Sequence, residues 1–119
     1  MYKVLIVDDE RLIRDGLRTL IDWEATGFVV ADAAADGQDA LDKLAGLEPD
    51  LVIADIRMPG MSGLELMQRA QSGRPRPPRF VFLSGYADFE YAREALRMKA
   101  EGYLLKPVDE DELIGYLDK

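Results

Sequence analysis

Four short stretches of the chain run apolar and then stop at a polar group. Val4-Leu5-Ile6-Val7 leads into Asp8-Asp9, Leu51-Val52-Ile53-Ala54 into Asp55, Phe80-Val81-Phe82-Leu83 into Ser84, and Tyr103-Leu104-Leu105 into Lys106. None of them alternates apolar with polar positions, so each predicts a strand buried on both faces, as in a parallel sheet covered by helices. Phe28-Val29-Val30-Ala31 reads as one more strand, and residues 102–105 form the last. Between these runs the period becomes helical. Leu12, Ile13, Leu17, Leu20 and Ile21 recur on one side, with Arg11, Arg14, Asp15 and Arg18 on the other, which predicts an amphipathic helix over about residues 10–21. A second helix is expected over about 37–44 with Asp36 as its cap, and a third begins around Leu64, Leu66 and Met67. A fourth is expected over about 88–99, and a fifth starts near Asp109. Met58-Pro59-Gly60-Met61-Ser62-Gly63 is a turn-rich loop after the third strand. Gly73-Arg74-Pro75-Arg76-Pro77-Pro78-Arg79 cannot be helical, because its prolines fix φ and remove donors; it reads as a stiff connection rather than as a proline-motif ligand.

Strand-then-helix units repeated in order predict an α/β fold: a doubly wound five-stranded parallel sheet with helices on both faces. The whole of 1–119 reads as one domain without linker or internal repeat. Parallel strands point all their carboxyl ends to one edge, where open α/β sheets bind ligands. Asp8, Asp9, Asp55, Ser84 and Lys106 are therefore expected to meet there, although they span most of the sequence.

Composition narrows the chemistry available at that edge. The chain has no cysteine and no histidine, which removes disulfides, thiolate chemistry, a histidine base and a histidine phosphocarrier. Any phosphate chemistry must fall to a carboxylate. A net charge of −8 opposes direct binding of nucleic acid by this domain. No apolar run approaches the roughly 18 residues needed to span a bilayer, and no basic or cleavable leader precedes the first strand, so no membrane contact and a cytoplasmic location are expected.

Each polar residue has an ordinary reading of its own. Asp8 and Asp9 precede a helix and could cap it, Asp55 could form a turn, Ser84 could be a loop serine, and Lys106 could simply be solvated. Their joint arrival at one edge favours a site. Adjacent acids repel unless a cation lies between them, and oxygen ligands without Cys or His select Mg²⁺, Mn²⁺ or Ca²⁺. A carboxylate can accept a phosphoryl group as an acyl phosphate. A metal and the Lys106 ammonium would neutralise the transferring oxygens.

At this point the chain resembles the receiver domains of two-component response regulators over all 119 residues. The carrying motifs are Val7-Asp8-Asp9-Glu10, Asp55-Ile56-Arg57-Met58-Pro59, Leu83-Ser84-Gly85-Tyr86 and Lys106-Pro107. Leu20-Ile21-Asp22-Trp23-Glu24, Gly27-Phe28 and Asp88-Phe89-Glu90-Tyr91-Ala92 resemble the subgroup with an AraC-type helix-turn-helix output domain. The resemblance implies a flavodoxin-like receiver fold with Asp55 as phosphoacceptor. It further implies Mg²⁺ held by Asp8, Asp9, Asp55 and the backbone carbonyl of Arg57. Ser84 and Tyr103 match the switch hydroxyl and aromatic, Lys106 the phosphate-contacting lysine, and Pro107 a cis-proline. The implied partners are a sensor histidine kinase, a DNA-binding output domain beyond the C-terminus, and a second receiver in a homodimer. Such a domain is a phosphoacceptor rather than an enzyme, switching its face of helix four, strand five and helix five. Arg57 and Tyr86, two residues after Asp55 and Ser84, are expected to tune the rate of dephosphorylation.

The sequence departs from the pattern in two places. Ser62 stands where this loop often has Asp, which should affect loop capping alone; Asp109-Glu110-Asp111-Glu112 opens the last helix with acids where some receiver dimers use basic contacts. Three rival functions fit less well. A Rossmann-like nucleotide binder needs glycines at the first turn, and none occurs before Gly16. An aspartate-dependent phosphatase wants a carboxylate two residues after its nucleophile, where this chain has Arg57. A degenerate receiver used only for protein contacts would not need the intact polar set.

Overall fold

The structure, a computed structural model, describes residues 1–85 and 89–118. Its strands are β1 (Tyr2–Val7), β2 (Phe28–Ala34), β3 (Leu51–Asp55), β4 (Arg79–Ser84) and β5 (Gly102–Leu105). Its helices are α1 (Arg11–Leu20), α2 (Gly37–Leu47), α3 (Gly63–Gln71), α4 (Phe89–Arg97) and α5 (Glu110–Leu117). All strand pairs are parallel, in the order β2-β1-β3-β4-β5. β2 and β3 thus lie on opposite sides of β1, so the winding reverses there and the helices cover both faces, as a doubly wound sheet requires.

Two apolar clusters, one per face, show why the strands do not alternate. Leu5, Val7, Val52, Ala54, Phe80 and Phe82 pack under Ala40 and Leu44 of α2, Leu66, Met67 and Ala70 of α3, and Ala95 of α4. Val4, Ile6, Ile53, Val81, Leu83 and Leu104 pack under Leu17 of α1 and Leu113 and Leu117 of α5, with Trp23 and Phe28 at one end. Neighbouring residues on one strand belong to different clusters, the two-residue period of a strand with both sides buried. Among the described residues no helix is long and apolar enough to cross a membrane.

The edge strand and some helix ends differ from the sequence expectation. β2 continues three residues past Ala31, because Leu5, Ile6 and Val7 pair with Asp32, Ala33 and Ala34 after a register shift at Val4/Leu5. An edge strand is buried less evenly, so its second half carried no apolar signal. Lys43 supports that half instead, donating to the Ala33 carbonyl at 2.6 Å and lying 3.7 Å from Asp32. α2 runs on to Leu47 and ends at Glu48 in the left-handed region (φ 47°), whose N–H reaches the Leu44 carbonyl. α4 stops at Arg97, two residues before the expected end; its expected start at Asp88 lies outside the described residues. Asp36, Ser62 and Asp109 each accept the N–H three residues on, capping α2, α3 and α5. The proline-bearing connection is non-helical, and its Arg74 folds back to donate to the Arg69 and Ala70 carbonyls at the end of α3.

One glycine sets where α3 begins. A Cβ at Gly63 would collide with the Asp55 carbonyl oxygen, lie 2.9 Å from the Ile56 Cα and touch the Phe82 ring. The Gly63 N–H donates to the Ile56 carbonyl at 3.0 Å, so this close approach fixes the loop that leaves Asp55. Backbone cannot yield as a flexible side chain can. Gly63→Ala is therefore expected to cost about 1–3 kcal/mol, the usual penalty for overpacking, read as a lower urea midpoint with an unchanged slope.

Candidate functional site

The carboxyl ends of the central strands bring the polar residues together. β1 runs in register with β3 from Val4↔Leu51 to Val7↔Ala54, so Asp8 and Asp55 each follow the last paired residue of adjoining strands. Asp55 lies opposite Leu83, and Ser84 opposite Leu105. Asp8, Asp55 and Ser84 are buried and Asp9 is exposed. Asp8, Asp9 and Asp55 each offer a carboxylate oxygen, all within 4.8 Å of one another.

Lys106 enters this acidic group from the end of β5. Its Nζ donates to Asp55 Oδ2 at 3.1 Å and lies 3.3 Å from Asp8 Oδ2. The hydrogen bond to Asp55 is aligned, whereas Asp8 Oδ2 has the ammonium nearby yet accepts no well-directed hydrogen bond among the described residues. The other oxygens are held by backbone: Asp8 Oδ1 accepts from Glu10 N–H at 2.9 Å and Asp55 Oδ1 from Arg57 N–H at 3.2 Å. Asp8 thus holds the residue just ahead of α1 without capping the helix itself, so the capping its position suggested does not form, while its second oxygen faces the site. The Lys106–Pro107 peptide is cis, and the Lys106 N–H donates to the Ser84 carbonyl at 2.9 Å. Tyr103, opposite Phe82, is half-buried against the cluster beneath α2, α3 and α4. Tyr86 lies outside the described residues.

The charges strain against one another. Burial pushes the Asp8 carboxyl above the ordinary carboxylate range; the Glu10 N–H opposes this, Asp55 adds to it, and Lys106 offsets part. Burial likewise raises Asp55, against the Lys106 and Arg57 hydrogen bonds, with Asp9 pushing the same way as burial. Burial alone would lower Lys106, but Asp55 and Asp8 together outweigh it and hold the ammonium proton more tightly than usual.

Sequence reading placed Arg14 on a solvated helix face. In the structure its Nη1 donates to the Asp8 carbonyl at 2.7 Å, pinning the loop that carries both acids. The only available signal was spacing, since Arg14 falls one turn into α1 on the side from which the loop enters. The Arg57 guanidinium lies over the Tyr91 ring of α4, 5.4 Å from its centroid, a contact between residues too distant in sequence to be foreseen.

Comparison with known proteins decides the family. The model of the response regulator receiver domain matches residues 4–118. The chain belongs to the response regulator receiver family. As a receiver it is 42% identical over 119 residues to the transcriptional regulatory protein YesN of Bacillus subtilis, covering 100% of this chain and 32% of YesN. It is 41% identical over 113 residues to the transcriptional regulatory protein HptR of Staphylococcus aureus, covering 95% of this chain and 44% of HptR. The receiver therefore spans less than half the length of these relatives. Among solved structures it resembles the receiver domain of the response regulator AraT from Geobacillus stearothermophilus, with TM-score 0.88 and 38% identity over 98% of this chain and 92% of that one. The two-component transcriptional regulator AraC from Clostridium phytofermentans matches with TM-score 0.88 and 38% identity, covering 99% and 91% of the two chains. The receiver fold and its five-stranded parallel sheet are thereby established for this chain, whose relatives include transcriptional regulatory proteins and whose structural neighbours include AraC-type response regulators.

The raised carboxyl values carry a sign. The folded receiver keeps protons on Asp8 and Asp55 that the unfolded chain has already released, so the contribution of these two groups to stability declines as pH rises from about 4 through their folded values. The raised Lys106 contributes stability across the neutral range, lost only as pH climbs through its folded value. With chelator present at neutral pH, Asp9→Asn is expected to stabilise the receiver by on the order of half a kcal/mol, because it removes a charge that disfavours the Asp55 anion. A lowered melting temperature for this variant would contradict the crowding.

Proposed function

We propose that this receiver takes a phosphoryl group onto Asp55 from the phosphohistidine of a sensor kinase and uses it to control an output domain. The observation that carries the reading is the buried Asp55 carboxylate bonded to Lys106 beside Asp8 and Asp9. An Asp55 oxygen attacks phosphorus as the phosphorus–nitrogen bond to the imidazole breaks, leaving an acyl phosphate; the departing ring takes up a proton from solvent. Lys106 follows the charge from the carboxylate to a phosphoryl oxygen, and the Ser84 hydroxyl donates to another. Such transfer needs positioning and charge neutralisation more than bond-making help from the protein.

The donor set suits Mg²⁺. Asp8 Oδ2 is a buried carboxylate oxygen without a directed hydrogen bond, all the facing ligands are hard oxygens, and the negative charge exceeds what Lys106 offsets. Asp8, Asp9, Asp55 and the backbone carbonyl of Arg57 would hold the ion. When bound, it neutralises charge on the transferring oxygens. It binds the folded state alone and so raises the melting temperature.

The phosphoryl group draws Ser84 toward it and lets Tyr103 turn inward. This shifts the face formed by α4, β5 and α5 between two states. Tyr91, Leu96 and Leu105 are exposed there, apolar surface suited to a second receiver or to a DNA-binding output domain beyond residue 119. The net charge of −8 assigns DNA contact to that other domain, and the cytoplasm is the compartment where kinase and DNA are both reached.

Arg57 also bears on how long the signal lasts. Water must approach phosphorus in line, past Arg57, and Tyr86 is carried into this role by its position two residues after Ser84 alone. A guanidinium paired with phosphoryl oxygens obstructs that path and offers no carboxylate to orient the water.

Loading with beryllofluoride and Mg²⁺, followed by amide NMR, tests the switch. Shifts at Asp55 and across α4, β5 and α5, both lost in Asp55→Asn, are expected; shifts confined to the pocket would contradict it, and none at all would remove the phosphoacceptor reading. Phosphate release from receiver labelled by acetyl phosphate is expected to quicken in Arg57→Asn and further when Tyr86→Glu is added, whereas equal rates would end the assignment to Arg57.

A further inference from the structure

The Arg57 side chain does not point idly from its loop. Its backbone N–H donates to Asp55 Oδ1 at 3.2 Å, which ties the residue to the phosphoacceptor, while its guanidinium carbon lies 5.4 Å from the centroid of Tyr91 on α4. Tyr91 is 42% exposed, so its ring is not a core element whose placement packing alone would explain. A guanidinium over an aromatic face is drawn by the ring quadrupole. The same guanidinium is the group that an acyl phosphate on Asp55 would attract by charge-assisted hydrogen bonds. Ring and phosphoryl group therefore compete for one cation.

We infer that Tyr91 is a positioning residue for dephosphorylation: by holding the Arg57 guanidinium over its ring, it limits how much of the time Arg57 covers the phosphoryl group, and so shortens the lifetime of the phosphorylated state. This rests on Asp55 as phosphoacceptor and on Arg57 as the residue that slows hydrolysis. A water oxygen bonds to phosphorus, the bond from phosphorus to the Asp55 oxygen breaks, the carboxylate is restored, and inorganic phosphate leaves with the water's protons shared between it and solvent. Tyr91 touches none of these atoms and acts only through the population of Arg57 positions. The charge-assisted pair is the stronger partner once phosphate is present, so the ring moderates Arg57 without preventing its engagement. The ring also sits on α4, so each time the phosphoryl group captures Arg57, α4 loses a tether to the loop after β3.

The test is a cycle of variants labelled with acetyl phosphate, with release of phosphate followed for each. Tyr91→Leu removes the ring and is expected to lengthen the lifetime about two- to fivefold, the factor that an exposed cation–π contact corresponds to. Tyr91→Phe keeps the ring face and is expected to restore the parent lifetime. In an Arg57→Asn background, Tyr91→Leu is expected to change nothing. An unchanged or shortened lifetime in Tyr91→Leu overturns the proposal. So does a lengthening that persists without Arg57, which would mark a general effect on α4. Failure of the underlying reading looks different: Arg57→Asn would match the parent, or no label would enter Asp55 at all. Since Tyr91 lies at the surface, its replacement leaves the core clusters intact, and matched melting temperatures across the set confirm that lifetimes are compared between folded proteins.

Discussion

Two carboxylates from adjoining strands end inside this protein, and one ammonium stands between them. Lys106 lies 3.1 Å from Asp55 and 3.3 Å from Asp8, which is fully buried. Buried charge is tolerated only when paired and hydrogen-bonded. Backbone N–H groups satisfy one oxygen of each acid, and Lys106 is directed at a second. One ammonium is thus shared by two buried carboxylates, Asp8 Oδ2 accepts no directed hydrogen bond, and Asp9 adds a third negative charge beside them, so the site is stressed by construction. The rest of the structure can be understood as what holds those acids in place despite the stress. Adjacent β1 and β3 fix their separation, Arg14 anchors the Asp8 carbonyl, and the tight contact at Gly63 sets the path of the chain after Asp55.

Much of this was legible in the sequence because of a topological constraint. Parallel strands must end at one edge, so topology alone places the polar residue that follows each apolar run at that edge. β1, β3 and β4, buried on both faces, announced themselves by unbroken apolar runs. The second half of β2 did not, since Asp32 and Ala33 lie at the sheet edge and are held by ladder pairing and Lys43 rather than by full burial, and only the small Ala34 reaches the core. The last turn of α2 was hidden for another reason: Gly46 weakens the helical pattern, and the end is made by a non-glycine residue, Glu48, in the left-handed region. Nothing in the spacing of residues foretells that the Asp8 oxygens divide between a backbone N–H and an undirected ion pair, because that depends on where one long lysine side chain comes to rest. Contacts such as Arg14 to the Asp8 carbonyl and Arg57 to Tyr91 belong to the same class. A charged side chain on a helix or loop is read as solvated until the fold supplies a partner.

The geometry also separates two directions in which an event at Asp55 can travel. One runs along the sheet, from Asp55 to Ser84 and on to β5 through the Lys106 N–H and the pairing of Phe82 with Tyr103. On that side, α5 is fastened by Tyr116, which donates to the Tyr103 carbonyl at 3.3 Å and whose ring occupies the space a Cβ at Gly102 would need. The other runs outward, from the loop after β3 to α4 by way of Arg57. Packed elements move between discrete arrangements more readily than they deform. Charge added at the junction of β3, β4 and β5, as the proposed phosphorylation would add it, is therefore well placed to bias such a choice.

The central claim is that Asp8 and Asp55 form a crowded, buried acidic pair poised for a divalent cation. Carboxyl-carbon NMR of the receiver labelled at aspartate, titrated with pH in chelator and again with saturating Mg²⁺, tests this most directly. The account predicts that both groups titrate above the ordinary carboxylate range without metal and that both midpoints fall when Mg²⁺ is added. Midpoints at or below the ordinary range in chelator, or values that Mg²⁺ leaves unmoved, would contradict it.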